Sequence, residues 1–324
     1  MSPHLKNMSL SFQLKDLSTY RSELMGWSIL WVMMLHFRFI TIKPLGFIAQ
    51  YGFAGVEIFL FVSGMGLYYS LQKHPSIGAF YLKRIKRIFP TYCLIGIIAS
   101  LLLYNDTLWT YFFRCTTIGF WTGGPFFTWY IPSIVMLYLF APVIYYHLLR
   151  NRILAGIICF SIIFFSFFVA KDYLLSRDHY FFFYRIPAFI GGMFCGKLVK
   201  ENGSPMAFLL MALVGIPFFA VFLPLHHDIY AFKYYALFFL LPAFMVTICT
   251  GSKFLGKFNA IIRKIGEASL EIYLIQTLFF SAFCSGRLSV HESWHDICTI
   301  TLIIGCSLVG IILHHIMGRI KFLQ

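Results

Sequence analysis

The sequence predicts an all-α, polytopic integral membrane protein with about ten transmembrane helices and both termini in the cytosol. Three observations predict it. Sixty per cent of the 324 residues are apolar, only 12% are charged, and the mean hydropathy is +0.79. Soluble domains carry about 25% charged residues, so lipid must replace the missing polarity. Apolar windows long enough for a helix to cross about 30 Å of hydrocarbon recur along the whole chain. The third observation is an alternation of charge: of the 26 Lys and Arg, eighteen fall in or at the edge of one set of inter-window segments and seven in or at the edge of the other, with Arg185 well inside a window.

The windows follow one another in order. About twenty mixed polar residues, without the layout of a cleavable signal peptide, precede the first window, 24–42. Arg21 stands at its start and His36 deep within it. The second window, 52–72, carries Glu57 and the pair Ser63-Gly64. The third, 89–104, is short, opens at Pro90, and follows the basic run Lys83-Arg84-Ile-Lys86-Arg87. The fourth, 128–147, opens on Trp129-Tyr130, and the fifth, 153–170, follows Arg150 and Arg152. The sixth, 180–199, contains Arg185. The seventh and eighth, 206–223 and 232–250, carry no carboxylate, and only Lys233 is charged. The ninth, 266–285, holds Glu271, and the tenth, 297–316, ends on His314-His315. Gly, Pro and aromatic residues are scattered through all of them, as lipid-embedded helices tolerate.

A net charge of +14 could serve nucleic acid, but its confinement to alternate loops is the positive-inside pattern. That pattern excludes a nucleic-acid function and makes the bilayer the first partner. The eight cysteines fall mostly within windows, with no CxxC spacing, and are expected to pack as small hydrophobes. No internal repeat or appended soluble segment is visible. The expectation is a single membrane domain over residues 1–324, with a short cytosolic N-terminal segment of about 1–20. His226-His227, His291 with His295, and His314-His315 lack a carboxylate-rich context, so no metal is expected.

Depth within the windows brings polar residues together. His36 lies about twelve residues, or roughly 18 Å, into the first span, in its outer half. Glu57, Arg185 and the Trp129-Tyr130 pair are expected in the same outer layer. Buried charges cost about 2.5–3.5 kcal/mol each at a helix centre, so these groups should face one another or a cavity. At the inner face Arg84 and Arg87 are three residues apart, on one side of a helix. Arginine forks match phosphate oxygens, although such a run also sets topology.

Taken in order, these residues resemble membrane acyltransferase family 3. Five pieces carry the resemblance: Arg21…Glu23-Leu-Met-Gly26…His36; Gly55-Val-Glu57-Ile-Phe-Leu-Phe-Val-Ser63-Gly64; Lys83-Arg84-Ile-Lys-Arg87-Ile-Phe-Pro90-Thr-Tyr92; Trp129-Tyr130…Tyr138…Pro142; and Ile265-Gly266-Glu-Ala-Ser269-Leu-Glu271-Ile-Tyr273-Leu-Ile-Gln276. Two positions depart from the family pattern. Met25 stands where many members have arginine, with Arg21 one turn earlier on the same face, and Gln276 stands where many have histidine.

The resemblance implies a membrane-embedded O-acyltransferase. Acetyl-CoA or another acyl-CoA is the implied cytosolic donor, and a hydroxyl of a surface or exported polysaccharide is the acceptor. It implies a bacterial plasma membrane, with glycan synthesis or export proteins as partners. Under that reading His36 takes the hydroxyl proton, or is itself transiently acylated. Glu57 orients the imidazole or stabilises its protonated form, and Arg185 or Tyr130 supplies positive charge or a hydroxyl donor. Arg84 and Arg87, with Arg21, hold the donor phosphates, and Trp129 and Tyr130 meet substrate. The alternatives are a transporter or flippase for a lipid-linked sugar, and a structural partner of a glycan export machine.

Overall fold

An apolar segment in hydrocarbon must satisfy its own backbone donors and acceptors, which gives each window a reason to be helical. The computed structural model describes residues 11–37, 42–73, 76–172, 177–222 and 231–320, and every regular element among them is helical. In chain order these are α1 (Asp16–Thr19), α2 (Arg21–His36), α3 (Lys43–Ala49), α4 (Ala54–Lys73), α5 (Ile77–Ala99), α6 (Leu108–Cys115), α7 (Ile118–Thr122) and α8 (Tyr130–Tyr146). They continue with α9 (Arg152–Asp172), α10 (Arg177–Phe183), α11 (Ile186–Lys200), α12 (Met206–Phe222), α13 (Ala231–Ser252), α14 (Gly256–Glu267), α15 (Ser269–Cys284) and α16 (His295–Arg319).

Each apolar window overlaps these helices, the sixth being shared between α10 and α11. Four stretches are long and apolar enough to cross a membrane by length and composition: Ala54–Lys73, Ile77–Tyr104, His179–Lys200 and Glu292–Arg319. Five further apolar helices are shorter, at Tyr130–Tyr146, Ile153–Phe165, Met206–Val221, Phe238–Ser252 and Ser269–Cys284.

Three boundaries differ from the sequence expectation, each for a local reason. α2 ends at His36, and the next carbonyl, that of Phe37, accepts a 3.1 Å hydrogen bond from Thr299 Oγ1 of α16. Pro90 lies inside α5 rather than at its start, because Ser76 Oγ caps the helix by accepting from the Ala79 N–H. The basic run 83–87 is therefore helical. The sixth window is divided between α10 and α11. Arg185 sits at the junction as the N-cap of α11, and Pro187 occupies its first turn, where a missing N–H costs nothing.

The core lies where α2, α4, α5, α8, α11 and α15 meet, around Ile29, Val32, Leu60, Tyr92, Phe189 and Ile272. α4 and α11 approach so closely that Gly64 leaves no room for a Cβ against the Phe189 carbonyl. The outer faces are aliphatic: Leu213 and Val214 of α12, and Ile304, Leu308, Ile312 and Ile316 of α16, are all more than half exposed. Such surface is stable only in lipid, so the chain is a membrane protein.

Candidate active site

α2 and α14 are fastened at one end of the bundle by the first motif. Glu23 Oε1, fully buried, accepts from Asn259 Nδ2 at 3.0 Å and from Arg263 Nε and Nη2 at 2.9 and 2.7 Å. Gly26 meets Ile262 of the same helix. This anchor presents Arg21 to a basic cavity. That cavity has a volume of about 430 Å3 and is lined by Arg21, Lys73, Lys83, Arg84 and Arg87. Gly66 opposes Arg21, and a Cβ there would stand 3.1 Å from its guanidinium. Arg84 is steadied over the Phe80 ring at 4.3 Å.

Arg87 does more than line this cavity. It forks onto Glu271 with Nη1–Oε1 and Nη2–Oε2 distances of 2.5 and 3.2 Å, and His314 Nδ1 stands 3.3 Å from Glu271 Oε2. Glu271 is fully buried, and an unpaired carboxylate there would be strongly disfavoured. Arg84 and Arg87, expected to hold the donor together, both line the basic cavity but are not equivalent. Arg84 faces the basic cavity, whereas Arg87 divides its guanidinium between that cavity and Glu271.

A narrower cavity of about 150 Å3 continues inward from Arg21, Ser63, Arg87 and Tyr138. Met25, Val56, Phe59, Ile134 and Leu270 make it apolar, and Tyr130 and Tyr273 close its inner part. Met25 and Arg21 therefore share one cavity wall, with the charge at the wider, basic part. The Tyr130 and Tyr273 rings are 4.8 Å apart. The Tyr273 hydroxyl shares a 2.5 Å hydrogen bond with Thr128 Oγ1.

Beside this inner end lies a buried ion pair. Arg185 Nε is 3.4 Å from Glu57 Oε1, and both side chains are 2% exposed. The guanidinium stacks 4.7 Å from the Trp129 ring and donates from Nη1 to the Phe181 carbonyl at 2.9 Å. Glu57 Oε2 is buried without a hydrogen-bond partner among the described residues. Breaking α10 from α11 is what turns the Arg185 side chain onto Glu57 and Trp129.

His36 has a different partner. Its Nδ1 lies 3.0 Å from Gln276 Oε1, and its ring packs 4.7 Å from that of Phe280. An amide oxygen only accepts, so in this contact it suits the imidazole tautomer with its proton on Nδ1. The single layer expected for His36 and Glu57 is also revised. α2 and α4 run antiparallel, with Gly55 against Ser28 and Val32 and Gly52 against Trp31 and Leu35. Glu57 is then level with the region of Ser28, about eight residues or roughly 12 Å short of His36. Glu57 pairs with Arg185, and the group that orients the imidazole is Gln276.

Tyr273 stands three residues before Gln276 on α15, so the inner cavity ends about one helical turn, roughly 5 Å, from the His36–Gln276 pair. α15 thus supplies Ser269 and Tyr273 to the cavity, Glu271 to Arg87, and Gln276 to His36. Sequence reasoning missed Gln276, Tyr273, Thr128 and His314 as site residues. The signal present was the fifth motif, whose polar positions recur along one helix. His291 lies in the exposed segment before α16, His295 opens that helix half-buried, and His226-His227 fall outside the described residues. No group of three or more metal-ligating side chains occurs among the described residues.

No curated protein and no solved structure matches the chain. Residues 24–316 match the family profile described as an acyltransferase domain, which takes in α2 from Leu24 through most of α16 and, apart from Arg21, the cavity-lining residues named above. The chain belongs to acyltransferase family 3 and is a membrane acyltransferase.

Proposed function

We propose that the protein crosses the membrane ten times with both termini in the cytosol, and moves an acyl group from a cytosolic acyl-CoA to a hydroxyl of a surface or exported polysaccharide. The acetyl group is the proposed cargo, and a bacterial plasma membrane the proposed location. The observation that carries this reading is a pair of cavities with shared walls, the first lined by Arg21, Lys73, Lys83 and Arg84 and the second, a largely apolar neck, ending at Tyr130 and Tyr273, with Tyr273 one turn along α15 from Gln276, the partner of His36.

The chemistry fits the parts in order. Cations at the wide, cytosolic end hold the donor phosphates, as arginine forks do. The apolar neck takes the slender arm, and the thioester comes to rest by Tyr130 and Tyr273. The acceptor hydroxyl oxygen attacks the thioester carbonyl carbon while His36 Nε2 takes its proton. Tyr130 and Tyr273 hydroxyls face the developing oxyanion, and the Arg185 charge lies behind them. Collapse re-forms the carbonyl, breaks the C–S bond, and returns the proton from His36 to the departing thiolate. The products are an ester and free CoA. Glu57 fixes Arg185, and its second oxygen is an acceptor for a substrate hydroxyl.

The test uses purified protein, radiolabelled acetyl-CoA and candidate glycans. Label should reach glycan with wild type and fall by about 100-fold or more with His36→Ala. Undiminished transfer by that variant overturns the role of His36. Absence of thioester consumption with every glycan would move the reading to lipid-linked sugar transport.

A further inference from the structure

The residues before α2 are built into the bundle. Phe12, Leu14 and Leu17 are buried in one apolar cluster with Met65 of α4, Phe208 of α12 and Met245 of α13, and the Phe12 and Phe208 rings stack 5.8 Å apart. Residues 11–20 therefore form a packed strap, where the sequence predicted only a short cytosolic segment. The strap leads straight into the donor side of the molecule. Tyr20 alone separates α1 from α2: its N–H donates to the Asp16 carbonyl at 2.8 Å, and its carbonyl accepts from the Leu24 N–H at 2.9 Å. The placement of Asp16 is thus carried through Tyr20 to Arg21, the first residue of α2.

Asp16 is itself pinned. It is buried, and its Oδ2 accepts from the Gln13 N–H at 3.0 Å and from Lys253 Nζ at 2.8 Å. Lys253 also donates to the Ser11 carbonyl at 3.1 Å, which closes the strap on itself. Lys253 stands directly after α13, while Asn259 and Arg263, the partners of Glu23, lie on α14. Two carboxylates, one before Arg21 and one after it, therefore clasp the same corner of the molecule.

What they hold is a cation among cations. Arg21, Lys73, Lys83 and Arg84 line the donor cavity, and no carboxylate is among its lining residues. Like charges repel, so an arginine at a helix end would swing out of such a cavity unless its backbone were tied. Neither Asp16 nor Lys253 lines the cavity, but Tyr69 does, and Tyr69 also packs against the cluster that buries the strap. The family match begins at Leu24 and takes in neither Asp16 nor Arg21.

Resting on the donor reading of that cavity, we propose that Asp16 and Lys253 are positioning residues of the donor site: their clasp fixes the first turn of α2 so that Arg21 already stands in the cavity when acyl-CoA arrives. The repulsion is then met during folding, and the donor phosphates meet a site that needs no rearrangement.

The experiment measures coenzyme A affinity by titration calorimetry on the purified full chain, and kcat separately by label transfer. Asp16→Asn keeps an acceptor for the Gln13 N–H and loses the charge. Lys253→Met removes the cation, and Lys253→Arg keeps one. Asp16→Asn and Lys253→Met should each weaken coenzyme A binding about five-fold, as when the competent arrangement falls to about a fifth of the population, with kcat unchanged. Their double variant should bind no more weakly than either alone, because one clasp is lost only once, and Lys253→Arg should bind as wild type. Amide hydrogen exchange at Tyr20 and Leu24 in the coenzyme-free protein should quicken in Asp16→Asn. Unchanged affinity in both single variants, beside a loss in Arg21→Ala, overturns the clasp and leaves the donor reading standing. Losses that add in the double variant, unchanged exchange at those two amides, or a kcat that falls with the affinity also overturn it. Wild-type protein that binds no coenzyme A overturns the donor reading and the clasp together.

Discussion

Gln276 Oε1 lies 3.0 Å from His36 Nδ1, a contact that suits the imidazole tautomer with its proton on Nδ1. The pair joins the last turn of α2 to the middle of α15. Replacing Gln276 by Leu should lower kcat by about ten-fold, the value of one oriented hydrogen bond, and leave the KM for acyl-CoA unchanged. Steady-state kinetics with purified protein would show it. A raised KM with intact kcat would mean that Gln276 serves donor binding instead.

Arg84 and Arg87 should separate on substitution. Arg84→Ala should raise the donor concentration for half-maximal rate and leave the melting temperature near wild type, because Arg84 has no ion pair in the described structure. Arg87→Ala should also destabilise, by about 2 kcal/mol or more, since it strips a buried carboxylate of its fork. Glu271→Gln combined with Arg87→Ala should cost less than the sum of the two single changes. Additive costs would contradict the coupling.

Gly66 is the simplest test of Arg21. A methyl group there would stand 3.1 Å from the Arg21 guanidinium and push it from the junction of the two cavities. Gly66→Val should therefore reproduce the donor-KM rise of Arg21→Ala while His36 chemistry continues. Normal donor kinetics in both variants would remove Arg21 from the donor path.

The Glu57–Arg185 pair predicts an asymmetric mutational pattern. Removing either partner leaves a charge buried at 2% exposure, so Glu57→Leu or Arg185→Leu should each cost about 3–5 kcal/mol. The double replacement by leucine should recover much of that stability but not the acyl transfer. Thermal unfolding in detergent, followed by circular dichroism, measures the first claim, and label transfer the second.

Much of the helical layout was legible in the chain itself. Hydropathy is a local property, and a window that is apolar enough has few choices but a helix in lipid. The locations of Glu57 and Trp129 on their elements followed from the same count, whereas His36 closes α2 instead of lying deep within a span, Arg84 and Arg87 lie inside α5 instead of ahead of it, and Arg185 stands at the junction before α11. The polar character of the fifth motif was visible too, but not what each residue in it touches.

The sequence by itself determined an all-helical membrane acyltransferase, its family, and the places where charge enters apolar helices. Only the tertiary structure decided the partners: Gln276 for His36, Arg185 for Glu57, and Glu271 with His314 for Arg87. The physical reason is that a partner depends on how far one helix slides and turns against another. Those offsets are set by close contacts such as Gly55 on Ser28 and Gly64 on Phe189, between residues from 27 to 125 positions apart in the chain. A shift of eight residues along α2 was enough to move His36 out of the layer of Glu57 and into the reach of α15.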